Sequence, residues 1–107
     1  MASEENPVVK AALDLLPLYG VEVWRNQSHP VPGRRFTGRK GVSDVLGFTR
    51  SAKFVAVELK KPGGKLSEEQ VEFLKLVKAA GGVAIAAYSI DDFQKQLESY
   101  RLGGMLC

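Results

Sequence analysis

A chain of 107 residues, 45% hydrophobic and 25% charged, has the size and composition of one soluble globular domain with little room for a second. No apolar run is long enough to span a membrane. One cysteine, Cys107, excludes an internal disulfide and a thiolate metal cage, and one histidine, His29, leaves no zinc cage, so any metal here takes oxygen ligands and is a hard cation.

The net charge of +3 is unevenly placed. Between Arg25 and Lys61 stand nine Lys/Arg against two acids, Asp44 and Glu58. A basic surface around a small acidic centre suits a polyanion that must meet a metal. A solvated basic loop is the plainer reading of the same charges.

In chain order, Asn6 as cap and Pro7 at the first helical position open a helix that carries Val8, Val9, Ala12, Leu13, Leu15 and Leu16 at helical spacing. Pro17 should end or kink it near Leu16, with Gly20 closing the segment. Val21–Arg25 alternates as a strand, Asn26–Gly33 is a loop with two prolines, and Arg34–Lys40 is a basic arm. Gly41-Val42-Ser43-Asp44 turns into a strand over Val45–Phe48, Thr49–Lys53 is a polar turn, and Phe54–Lys60 is the clearest strand.

After Pro62-Gly63-Gly64, Ser67 with Gln70 forms a capping box, and Leu66 with Val71 a hydrophobic staple. Val71, Leu74, Val77 and Ala80 give that helix its expected apolar face, and Gly81-Gly82 ends it. Val83–Tyr88 is a continuous apolar run, expected as a buried strand. A last helix starts at Asp91 or Asp92 and buries Phe93 and Leu97. The order is α-β-β-β-α-β-α, with the strands either side of the Ser67 helix parallel and the earlier ones antiparallel: an α/β fold with a small mixed sheet flanked by helices.

Glu58 and Lys60 leave the same face of one strand, opposite Val55, Val57 and Leu59. An E-x-K pair on a strand has two readings. It can sit at an exposed strand end or pair internally. Alternatively, Glu58 shares a divalent cation with Asp44 while Lys60 assists an attacking water, since a cation removes the repulsion between two carboxylates.

Gly41-Val42-Ser43-Asp44, then Glu58-Leu59-Lys60-Lys61-Pro62-Gly63-Gly64-Lys65-Leu66-Ser67-Glu68-Glu69-Gln70, resembles the VRR-NUC domain, a branch of the PD-(D/E)xK restriction-endonuclease-like superfamily. Trp24-Arg25-Asn26 and Ala79-Ala80-Gly81-Gly82 resemble it too. The resemblance implies an αβββαβ core and a Mg2+- or Mn2+-dependent nuclease acting on DNA. It implies Asp44 and Glu58 as metal ligands with the Leu59 backbone carbonyl as a third, Lys60 as the catalytic lysine, Gln70 beside the site and a first-helix acid, for which Glu5 is the candidate. Ser43 stands where many superfamily members have proline. A domain this small, without an accessory recognition module, is expected to read DNA structure such as a branched junction; the resemblance implies action as a homodimer, here in the cytoplasm of a bacterial or phage-infected cell.

Phosphate contacts are expected from Arg25, Asn26, Arg34, Arg35, Arg39, Lys40 and Lys61. Trp24 is expected in the core or at an interface rather than as a base-stacking platform. The rival reading is a non-catalytic nucleic-acid-binding module gripping DNA with the Arg34–Lys40 arm; intact Asp44, Glu58 and Lys60 speak against it. A metabolic phosphoesterase is disfavoured for want of a phosphate-loop motif.

Overall fold

The computed structural model describes residues 7–26 and 38–100. Helix α1 spans Pro7–Leu15 and passes directly into a 3-10 turn over Leu16–Tyr19. The turn is where Pro17 falls: a proline lacks the N–H that a further α-turn needs, and Gly20 closes the segment with its N–H on the Leu16 and Pro17 carbonyls. Val9, Ala12 and Leu16 stay buried on one side throughout.

Strands β1 (Glu22–Arg25), β2 (Val45–Phe48), β3 (Phe54–Leu59) and β4 (Val83–Ala87) form one sheet in the order β1-β2-β3-β4. The first two pairings are antiparallel and β3–β4 is parallel, with helix α2 (Glu68–Ala79) as the crossover. Helix α3 (Ile90–Ser99) follows. This is the expected α/β architecture with a four-stranded mixed sheet, compatible with a small restriction-endonuclease-like core.

The two faces of the sheet have different jobs. Val45, Val55, Val57, Leu59, Val83 and Ile85 point towards α1 and α3 and meet Phe93 and Leu97, both fully buried. Burying Phe93 alone is worth about 2–3 kcal/mol. The other face carries Ala56 and Glu58 under α2, which packs on β3 and β4. This explains why β3, expected to alternate, is buried at every position from Val55 to Leu59.

Three local expectations need correction. The last helix starts at Ile90, because Ser89 is its cap and accepts from the Asp92 N–H at 3.0 Å; Asp91 and Asp92 lie in the first turn, where acids favour the helix dipole. Strand β4 is not buried throughout: it is the sheet edge, so Val83, Ile85 and Ala87 are buried while Ala84 and Ala86 are half-buried. Of the expected apolar face of α2 only Val77 is buried, and Ala80 is exposed as the helix cap.

Candidate active site

The site forms where the turn before β2, the end of β3 and the first turn of α2 converge. Gly41 makes that turn possible. It has φ +83°, and a Cβ there would lie 2.3 Å from the Glu69 carbonyl oxygen. The glycine thus lets the approach to Asp44 lie directly on the first turn of α2.

Asp44 is fixed from two sides. Its carbonyl accepts the Asn26 N–H at 2.8 Å, and its Oδ2 accepts the Leu59 N–H at 3.1 Å. Register pairs Val45 with Val57, so the residue before β2 falls beside the end of β3. Glu58 is only 1% exposed. Its Oε2 accepts from Gln70 Nε2 at 3.0 Å and lies 4.0 Å from Lys60 Nζ. Its Oε1 is buried with no hydrogen-bond partner among the described residues. Lys60 follows β3 directly, and its N–H donates to the Ala87 carbonyl at 2.9 Å, which holds it in line with β4.

Burial pushes the Glu58 carboxyl up to about 8, and repulsion from Asp44 adds to the shift; Lys60 and the Asp44 backbone amide pull the other way without cancelling it. A positive ligand would relieve the cost of an acid buried beside a second acid, with one oxygen unpartnered among the described residues. The donors at hand are hard carboxylate oxygens, which fit Mg2+ or Mn2+.

Gln70 does two things with one amide. Its Oε1 accepts the Ser67 N–H at 2.8 Å and its backbone N–H donates to Ser67 Oγ at 3.1 Å, completing the capping box, while its Nε2 reaches Glu58. The staple residues Leu66 and Val71 are both half-buried.

The other expected contacts scatter more widely. Arg25 ends β1 opposite Val45, and Asn26 touches the Asp44 backbone. Arg39, Lys40 and Lys61 are exposed. Arg39 lies over the Phe73 ring, 5.5 Å from its centroid. Glu5, Arg34 and Arg35 lie outside the described residues. Among those described, no group of three or more His, Cys, Asp or Glu gathers; the two carboxylates stand as a pair. Trp24 is 44% exposed, not in the core, and stands edge-on to Phe48. Sequence reasoning does not single out Phe54 or Phe73; the signals that find them are the i+4 spacing of Phe54 from Glu58 and the i+3 spacing of Phe73 from Gln70.

No helix among the described residues is long and apolar enough to cross a membrane. Comparison with curated proteins and with solved structures finds no match. A family model described as the VRR-NUC domain matches residues 31–91, more than half of the chain and the whole span from the turn before Asp44 through Gln70. A nuclease family and DNA as substrate go with that match, and the chain belongs to the VRR-NUC family.

Proposed function

We propose that the chain is a Mg2+- or Mn2+-dependent endonuclease that hydrolyses DNA phosphodiesters and selects branched DNA by shape. The observation that carries this is the meeting of Asp44, in the turn before β2, and the buried Glu58 of β3, with Lys60 Nζ 4.0 Å from Glu58. Asp44, Glu58 and the Leu59 backbone carbonyl would hold the ion. Bound there, it supplies Lewis acidity towards a phosphate oxygen and offsets the paired negative charge. Gln70 keeps Glu58 oriented. Lys60 holds the attacking water and stabilises charge growing on the phosphate. Water adds to phosphorus, the bond to the leaving sugar oxygen breaks, and a proton passes to that oxygen. Arg39, Lys40 and Lys61, with Arg34, Arg35, Arg25 and Asn26, grip the flanking phosphates. We assign action as a homodimer, and work in the cytoplasm of a bacterial or phage-infected cell, on the family resemblance alone.

The test is incubation with labelled linear, nicked and four-way-branched DNA, with and without Mg2+ or Mn2+. Wild type cuts the branched substrate fastest and only with metal, and Asp44→Ala and Lys60→Ala do not cut. Cleavage by either variant, or without metal, overturns the mechanism. Binding with no cleavage of any substrate favours the non-catalytic module.

A further inference from the structure

A row of aromatic rings crosses the sheet on the face that carries Glu58. Register places it there: Trp24 pairs with Leu46, Phe48 with Phe54, and Leu46 with Ala56, so Trp24, Phe48 and Phe54 leave the same face as Ala56 and Glu58. Trp24 meets Phe48 edge-on with centroids 6.2 Å apart, Phe48 directly opposes Phe54, and Phe54 meets Phe73 of α2 edge-on at 6.4 Å. Trp24, Phe48 and Phe54 are 44%, 48% and 41% exposed. Exposed apolar rings gathered on one face mark a binding surface.

Cations flank this row. The Arg39 guanidinium covers Phe73, and Lys53 lines the same groove of about 470 Å³ between α2 and the start of β3. The groove lies on the same sheet face as the candidate site, towards the other end of β3. Phe54 and Glu58 share a strand face, about 13 Å apart along β3. Phe73 lies one turn beyond Gln70, the residue that holds Glu58.

We infer that this row is a stacking platform for unpaired bases of the DNA strand cut at the Asp44–Glu58 site; the inference rests on the nuclease reading. Aromatic faces lined by cations are what a single strand needs, because every base has a π-face and every link a phosphate. The bases of an intact duplex are stacked on one another and offer no face to these rings. A second copy of the chain would bring two equally basic segments together on this face, with like charges opposed.

Trp24 is the chain's only tryptophan, so its fluorescence reports on the platform. The full chain, free of metal, is titrated with oligothymidylate and with a blunt duplex of equal length. Oligothymidylate quenches Trp24 and the duplex does not. Phe48→Leu and Phe54→Leu each weaken single-strand binding about tenfold and leave duplex binding unchanged. The inference is overturned by single-strand binding without quenching, by Leu variants that bind like wild type while melting like it, or by a dimer whose formation shields Trp24 without DNA. Cleavage with Mn2+ is scored on the same DNA. Quenching without cleavage removes the nuclease reading and keeps the platform, and cleavage without quenching does the reverse.

Discussion

Gln70 Nε2 donates to Glu58 Oε2 at 3.0 Å while the same amide's Oε1 caps α2 at Ser67. Helix start and candidate site are therefore one hydrogen-bonded unit. Ser67→Ala removes only the cap, and should cost about 1 kcal/mol of stability with cleavage nearly intact. Gln70→Ala removes the cap contact and the Glu58 donor, so it should cost more and lower cleavage as well. Gln70→Glu keeps an N3 cap acceptor but sets a third carboxylate against Glu58; it should melt near wild type at pH 5 and well below it at pH 8. Thermal melts paired with cleavage rates separate the three.

Glu58 makes the metal-free protein sensitive to pH. Its carboxyl is raised from 4.5 to about 8 in the fold, so the folded chain keeps a proton that the unfolded chain releases. Stability is full below pH 4.5, falls as pH rises through the window from 4.5 to 8, and levels off above it. The loss is on the order of 5 kcal/mol. Glu58→Gln should flatten this slope in denaturant melts run in EDTA. Mn2+ should raise the melting temperature of wild type, releasing a proton as it binds, and should not do so for Asp44→Asn.

Much of this was legible in the chain because local signals agree with the global fold. The capping box at Ser67 and Gln70, the glycines at the helix end and the apolar run of β3 each fix an element by nearby residues alone. The pairing of Asp44 with Glu58 was legible from motif spacing. What was hidden depends on tertiary cover. Whether Glu58 sat at an exposed strand end or in a buried site turned on where α2 lies, and no periodicity within β3 reports that. Gln70 was legible as a capping residue and, by resemblance, as a neighbour of the site, but not which amide end does which, because a sequence names a residue and not its two amide ends. That Trp24 lies outside the core, the first of the two places expected for it, was hidden for the same reason: α2 packs on β3 and β4, and the exposure of the β1–β2 side follows from sheet order.

Ser43, beside Asp44, is fully buried and its Oγ has no hydrogen-bond partner among the described residues. A buried hydroxyl left unpaired costs about 1–3 kcal/mol. Ser43→Ala should therefore be neutral or stabilising, with cleavage unchanged, because Asp44 is held through its own carbonyl and Oδ2. Equilibrium unfolding checks this. A clear destabilisation would mean that the hydroxyl has a partner in solution.

Gly41 and Gly63 give a matched pair that separates backbone strain from collision. Both have positive φ, +83° and +86°. A Cβ on Gly63 meets nothing within 4 Å among the described residues, so Gly63→Ala carries only the left-handed penalty of about 1 kcal/mol. A Cβ on Gly41 meets the Glu69 carbonyl oxygen at 2.3 Å and the Glu69 Cβ at 2.8 Å. Neither the helix backbone nor a Cβ can rotate aside, so the turn must lift away from α2. Gly41→Ala should cost at least about 3 kcal/mol, since strain and overpacking add. Its cleavage should fall further than the lost stability explains, because the displaced turn carries Asp44 away from Glu58 and Gln70. Cleavage rates at a temperature where both variants remain folded make the comparison. Equal activity in the two would show that the contact between Gly41 and Glu69 does not set the position of Asp44.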